Sequence, residues 1–393
     1  MQSGKIVVEN LYKVFGDKPQ DAMRLLKLGE TKETVFRNTG QVVGVNNVSF
    51  SVDEGEIFVL MGLSGSGKSS LIRLINRLMD PTDGRILLDG QDITKLSPSE
   101  LVSLRRRDMS MVFQSFALMP HRTVLDNAAF GLEIAGVGRK EREKRAMEVL
   151  EQVGLATFAR KMPHELSGGM QQRVGLVRAL AVNPSLMLMD EAFSALDPLK
   201  RSEMQDILLQ LQRDHRRTIF FVSHDLEEAL RIGTRIAIME GGRLVQVGTP
   251  QEIIENPAED YVREFFKSVD TSRYLLAKDL LDPHGVGVMV SGNLAGPHDL
   301  QHHNWVACVS GDNKLLGLVG RDSLRAEGCN PAERCVPVSP ITPASALPDV
   351  LKRLQGQREP LPVIDNDGRY LGVITASSVL SKLSEHRLQT AVH

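Results

Sequence analysis

Short apolar runs punctuate the first two-thirds of this 393-residue chain, and they alternate with segments of helical periodicity. Lys5–Val8 reads as a strand, with turn residues near Gly16 and Asp17. Residues 17–43 are polar and predict a helical insertion. Val45–Val52 alternates apolar and polar positions, as a half-buried strand does. Glu56–Met61 is a compact apolar run that ends in glycines, and Lys68–Arg77 then follows helical spacing. Met109–Phe113 predicts another strand, and Thr123–Leu166 is helical, including the charged stretch Arg139–Arg145. Strands return at Leu186–Met189, Thr218–Ser223 and Arg235–Met239. This alternation predicts a largely parallel sheet covered by helices, in a first domain spanning about residues 1–270.

The remainder has a different texture. Cys308–Val319 matches Val363–Ile374 position by position, at a constant offset of 55 residues. Each copy reads as strand, polar hairpin turn, strand and short helix. Two copies together can bury a face that neither buries alone. We therefore place a linker at 271–275, a first repeat at 276–330 and a second at 331–393.

Charge changes the picture little. The 47 basic and 49 acidic residues nearly balance, which argues against a general nucleic-acid binder. Apolar residues make up 42%, enough for packed cores. The three cysteines, Cys308, Cys329 and Cys335, lack metal-ligand spacing and suit no disulfide framework, so reduced thiols are expected. Met1–Asn10 lacks the basic and apolar segments of a secretory leader, and no run approaches the roughly 20 apolar residues of a membrane span. The expectation is a soluble chain whose membrane role comes through a partner. Arg105–Arg107 reads as a solvated helix face, Arg213–Arg217 as a charged turn, and His298, His302 and His303 as loop residues rather than metal ligands.

The chemistry concentrates in a few motifs. Gly62-Leu63-Ser64-Gly65-Ser66-Gly67-Lys68-Ser69 is a complete Walker A loop between a strand and a helix. Its glycines let backbone N–H groups turn toward phosphate, and the helix adds its positive N-terminal end. Lys68 supplies a cation for the β- and γ-phosphates, and Ser69 a hydroxyl for Mg²⁺. Leu186–Asp190 is an apolar strand ending in a carboxylate, which can hold Mg²⁺ through water. Glu191 follows and can deprotonate an attacking water. His224 ends a third strand, where an imidazole can hold the water–phosphate arrangement. Gln114 ends another and can sense the metal. Ser167-Gly168-Gly169 precedes a helix predicted to begin near Met170, a second anion site. One γ-phosphate does not need two such sites from one chain, so this one is expected to cap a nucleotide held by another copy.

Together these residues closely resemble the ATP-binding cassette (ABC) family over about residues 5–265. Leu166-Ser167-Gly168-Gly169-Met170-Gln171 resembles its signature, Ser194–Asp197 its D-loop, and Phe15 its adenine-stacking aromatic. The resemblance implies an α/β P-loop NTPase fold with a mostly parallel core sheet, an antiparallel β subdomain and a helical subdomain at about 115–170. It implies ATP and Mg²⁺ as ligands. Phe15, Gly62 to Ser70 (Leu63, Ser64, Gly65, Ser66 and Gly67 included) and Gln114 would contact nucleotide, and Ser69, Gln114 and Asp190 would hold the metal. Lys68, Glu191 and His224 would act in catalysis. Ser167, Gly168, Gly169, Gln171 and Asp197 would serve the partner's ATP across a head-to-tail homodimer.

The tail resembles a tandem CBS module, α/β in class and regulatory in role. Chain order, the insertion at 17–43 and the segment Phe113–His121 resemble the ATPase subunits of glycine betaine/proline importers. That likeness implies an integral membrane permease, a periplasmic or extracellular binding protein, no nucleic acid, and a peripheral place on the cytoplasmic face of the inner membrane. Two other readings stay open: an ABC ATPase importing another small solute, and a DNA-linked ABC ATPase. Only about fifty residues separate Gln114 from Leu166, too few for the long coiled-coil arms of the latter. The repeats also depart from the adenosine-binding CBS pattern. Thr375–Ser378 and Gly320–Ser323 both lack the final Asp that would grip ribose.

Overall fold

The computed structural model describes residues 4–115, 117–266, 275–282, 286–290, 293–294, 304–320, 335–357 and 359–391. The chain divides into two units, Met1–Phe266 and Lys267–His393, which are described separately.

The first unit opens with β1 (Ile6–Phe15), α1 (Pro19–Lys27), α2 (Lys32–Thr39), β2 (Val42–Val52), β3 (Ile57–Met61) and α3 (Lys68–Ile75). It continues through β4 (Asp83–Leu88), β5 (Gln91–Asp92), α4 (Pro98–Asp108), β6 (Met109–Val112), α5 (Val124–Ile134), α6 (Arg139–Gln152) and α7 (Gly168–Ala181). It ends with β7 (Leu186–Asp190), α8 (Pro198–His215), β8 (Thr218–Val222), α9 (Leu226–Ile232), β9 (Arg235–Glu240), β10 (Arg243–Gly248), α10 (Pro250–Glu255) and α11 (Asp260–Phe266).

Two sheets form. β9, β3, β8, β7 and β6 are parallel neighbours in that order, with β10 antiparallel on the β9 edge. Every residue of β3 and β8 is buried, as strands covered on both faces require. The second sheet is antiparallel, in the order β2-β1-β4-β5. Leu71, Ile72, Leu74 and Ile75 of α3 share one core with Ile6 and Phe50 of the second sheet and Phe58 and Phe220 of the first. That shared core fixes the start of α3 against the strand ends. A separate core of Val124, Ala128, Ala146, Leu150, Val174 and Val177 joins α5, α6 and α7.

Several predicted boundaries move. β2 begins at Val42, three residues before the expected Val45, because Val42 and Val43 pair with Phe15 and Val14 of β1. β1 runs on to Phe15 instead of ending at Val8, because β2 and β4 both pair with it through register shifts. Those shifts, with Asn10 at φ 46°, break the alternation that would have announced a long strand. α7 starts at Gly168, two residues before the expected Met170, because Ser167 is itself the extended N-cap and accepts from the Met170 N–H. The charged stretch Arg213–Arg217 also changes role, its first part closing α8.

The second unit contains β11 (Gly287–Val290), β12 (Asn293–Leu294), β13 (Trp305–Val309), β14 (Leu315–Gly320), α12 (Leu347–Leu354), β15 (Leu361–Ile364), β16 (Tyr370–Ile374) and α13 (Ala376–Ala391). The internal repeat becomes a repeated register. Cys308 pairs with Gly317 and Val309 with Leu315, while Val363 pairs with Gly372 and Ile364 with Tyr370, each ladder shifting at the same step. The copies also bond reciprocally at equivalent positions. Leu315 N–H donates to Gly368 O (3.4 Å) and Tyr370 N–H to Asn313 O (2.8 Å). His298, His302, His303, Cys329, most of the 271–275 linker and the Gly320–Ser323 pattern beyond Gly320 lie outside the described residues.

Candidate functional site

The Walker loop is shaped by close approaches. A Cβ on Gly62 would stand 2.3 Å from Met239 O and 2.5 Å from Ser66 Oγ, and one on Gly67 would stand 2.3 Å from Gly44 O. Both glycines are therefore required for the loop to lie against β9 and β2. Gly67, at φ 105°, caps α3. Lys68 is buried, and its ammonium donates to Gly62 O (2.8 Å) and Leu63 O (3.0 Å). Burial pulls its pKa below the usual lysine value, against the opposing charges of Glu191 and Asp190. Ser66 Oγ is buried without a hydrogen-bond partner inside the same loop.

The loop floors an open cleft of about 510 Å³. Ser64, Gly65, Gly67, Lys68, Ser69 and Ser70 form its base. Phe15, Val42, Val43, Gly44, Glu191 and His224 complete its lining. Phe15 sits where it does because it pairs with Val42 in the β1–β2 ladder. Gly44 gives its ring room, since a Cβ there would be 2.5 Å from Phe15 Cε2.

β7 ends in Asp190, the residue before the cleft's Glu191. Burial, then the neighbouring Glu191, raises its pKa above the usual aspartate value, with Arg73 and Lys68 acting the other way. Glu191 itself turns left-handed (φ 46°), an uncommon conformation for glutamate that often marks a functional position. Its N–H donates to Val222 O (3.0 Å), and both the N–H (3.2 Å) and hydroxyl (2.9 Å) of Ser194 donate to its carbonyl. This aims the carboxylate into the cleft, 3.2 Å from His224 Nδ1.

Residues 45–194 match the ABC transporter model and residues 335–385 the CBS domain model. The chain is 49% identical to the glycine betaine/proline betaine transport system ATP-binding protein ProV of Salmonella typhimurium, over 96% of this chain and 97% of that one. It is 46% identical to the glycine betaine/carnitine transport ATP-binding protein GbuA of Listeria monocytogenes, over 97% and 98%. The fold resembles the dimeric structure of MJ0796, a bacterial ABC transporter cassette, at TM-score 0.52 and 33% identity, covering 62% of this chain and 98% of that one. The chain belongs to the ABC transporter ATP-binding family. As an ABC ATPase it hydrolyses ATP to energise transport. Among the described residues, no helix is long and apolar enough to cross a membrane.

The ABC signature lies apart from the cleft. Ser167 and Gly168 are exposed, and neither they nor Gly169 are among the cleft's lining residues. Ser167 Oγ accepts from Met170 N–H (3.4 Å). The Gln171 amide is turned back onto Pro163 O (3.0 Å) and Leu166 O (3.2 Å), so it shapes the turn before α7. Gln114 is exposed in the bend after β6 and also stands off the lining, as do Gly62, Leu63, Ser66 and Asp190. Asp197 caps α8, its carboxylate accepting from Lys200 N–H (3.1 Å).

Sequence reasoning missed several residues here. Val42, Val43 and Gly44 enter the cleft through pairing with a strand far away in sequence, which no local pattern announces. Gln172, the neighbour of a predicted residue, is buried and donates to Ala192 O beside Glu191, tying α7 to the turn that carries Glu191. Arg201 pairs with Asp225, next to His224, and donates to Leu196 O (3.3 Å) in the D-loop. One guanidinium thus links the D-loop to the turn that carries the histidine.

Proposed function

We propose that this chain is the ATP-hydrolysing subunit of an importer for zwitterionic osmoprotectants of the glycine betaine and proline class. It works as a head-to-tail homodimer on the cytoplasmic face of the cell membrane, against an integral membrane permease fed by a periplasmic or extracellular binding protein. The C-terminal unit, read as two CBS repeats after a linker near residue 270, regulates it. The observation that carries this reading is the incompleteness of the cleft. Phe15, the Walker loop, Glu191 and His224 converge in one protomer, while the second anion site at Ser167–Gly169 stands exposed and apart from them.

The residues present suit ATP and Mg²⁺. The unpartnered Ser66 Oγ and the two carbonyl-held protons of Lys68 mark donors awaiting an anion. Phe15 stacks on adenine and the loop amides from Leu63 to Ser70 take the phosphates. Lys68 exchanges its Gly62 and Leu63 carbonyls for phosphate oxygens. Ser69, Asp190 and Gln114 are the hard oxygen donors that Mg²⁺ prefers, and the bound ion would neutralise charge on the β- and γ-phosphates. Glu191 accepts the proton of the attacking water, and His224, in contact with it, fixes its orientation and holds the γ-phosphate. Ser167 and Gly169 of the second copy complete the enclosure. Solute identity rests on the relatives, which are named for glycine betaine, proline betaine and carnitine transport.

A Glu191→Gln variant tests the chemistry. It binds ATP and dimerises, while turnover falls by about 10²–10⁴-fold; turnover equal to the unmodified protein would reject the general-base role. Reconstitution with the permease tests the cargo. Glycine betaine delivered by its binding protein stimulates ATP hydrolysis, and stimulation by unrelated solutes alone would reassign the substrate.

A further inference from the structure

We propose that Cys308 and Cys335 form a redox-sensitive pair, a modification site at which an intramolecular disulfide latches the strap joining the two C-terminal repeats. The geometry starts from β13, where buried Cys308 faces Gly317 of β14 across the ladder. Directly opposed residues of antiparallel strands share one face of the sheet, and Gly317 leaves its place on that face empty. Cys335 fills it. A Cβ on Gly317 would lie 3.2 Å from the Cβ of Cys335 and 2.7 Å from Val336 O. Cys308 and Cys335 thus flank the same Gly317 position, one across the ladder and one on the strap. Cys335 is half-buried and open to a small reagent. Burial, then contact with Cys335, pushes the Cys308 thiol up to about 12, so the half-buried Cys335 is the thiol open to first attack.

The strap gives the bond its consequence. Val336 exchanges hydrogen bonds with Leu318 of the first repeat, donating at 2.9 Å and accepting at 3.2 Å. Further along, Ile341 donates to Pro362 O (3.0 Å) and accepts from Ile364 N–H (3.0 Å) in the second repeat. Residues 335–341 therefore bridge the two copies. A covalent bond at Cys335 fixes the first-repeat end and holds the pair of repeats in this arrangement.

The oxidant is a low-molecular-weight disulfide such as oxidised glutathione. Cys335 loses its proton, its thiolate attacks one glutathione sulfur, and the S–S bond breaks to release one glutathione thiol. Cys308 then loses its proton, attacks the Cys335 sulfur and displaces the second glutathione. Two protein thiols are oxidised by two electrons, one disulfide is reduced to two thiols, and the two protons end on those thiols.

The test uses the full chain, treated with oxidised glutathione, alkylated and peptide-mapped without reduction. A Cys308–Cys335 linked peptide is expected in the unmodified protein and in Cys329→Ser. In Cys308→Ser, Cys335 stops at the mixed disulfide. Hydrogen exchange at Leu318 and Val336 slows by roughly 10-fold on oxidation and recovers with dithiothreitol. A bond from Cys335 to Cys329, a linkage between copies, or full modification of Cys335 with Cys308 still free would each overturn the proposal. The unmodified protein alone decides this, whatever the variants do to folding, and the result is independent of the ATPase reading.

Discussion

α3 and α7 both begin at a glycine-bearing turn, and the two turns are built in opposite ways. The base of the α3 turn is jammed against Met239 and Gly44, with Gly62, Ser66 and Lys68 buried and Leu63 to Gly65 exposed at its tip, and it carries an ammonium held by two loop carbonyls. The α7 turn is exposed, capped by a serine hydroxyl, and has no basic residue among its first residues, Gly168 to Gln172. Both offer amides and the positive end of a helix. The first also supplies a charge to neutralise phosphate, whereas Lys200, packed beside Gly169 of the second, is paired with Glu203. On the proposed function, the second turn closes the open side of a triphosphate held at the first.

That contrast can be broken at its stronger half first. Removing the ammonium in Lys68→Ala should weaken ATP binding by about 2–5 kcal/mol, roughly 30- to 5,000-fold, read by titration calorimetry. The weaker half should behave differently. Ser167→Arg should leave the affinity of a single copy for ATP within about 3-fold, yet lower ATPase turnover by about 10²-fold, because only the closed state uses that turn. A comparable loss of affinity in both variants would erase the distinction between the two turns.

Smaller effects sharpen it. Arg201 touches neither nucleotide turn, so Arg201→Met should lower kcat by about 10-fold with KM for ATP within about 2-fold in steady-state assays. Asp190 tests the buried side through pH. Burial and Glu191 raise its folded-state pKa, so the folded protein favours the protonated acid. Stability is therefore lost as pH rises from the ordinary aspartate value through the raised one, and the full loss persists above it. Asp190→Asn escapes the penalty. Its melting temperature should exceed that of the unmodified chain near neutral pH, and the gain should vanish below the ordinary carboxylate range. A gain that persists in acid would assign the effect to something other than this charge.

Much of this architecture was legible in the chain because its signals are contiguous. β3, β7 and β8 are unbroken apolar runs, and the Walker loop lies whole between a strand and a helix. The 55-residue repeat translated directly into two ladders with the same shift. What stayed hidden depends on pairing across long separations. β1 was read short because bulges and the left-handed Asn10 disturb its alternation. Gly44 matters only because β2 lays it under Phe15, and Arg201 only because α8 brings it between Leu196 and Asp225. The nearness of Cys308 to Cys335 could not be foreseen, since it arises from a side chain that Gly317 lacks.

Crosslinking between copies tests the central claim most directly. On a background with Cys308, Cys329 and Cys335 replaced by serine and Glu191→Gln to arrest turnover, one preparation carries Ser64→Cys and another Ser167→Cys. Mixed with ATP and Mg²⁺ under mild oxidation, they should give a covalent heterodimer that neither preparation gives alone and that disappears without nucleotide. If the mixture stays monomeric, or if a single chain carrying both cysteines closes the bond on itself, the cleft and the signature do not meet across two copies.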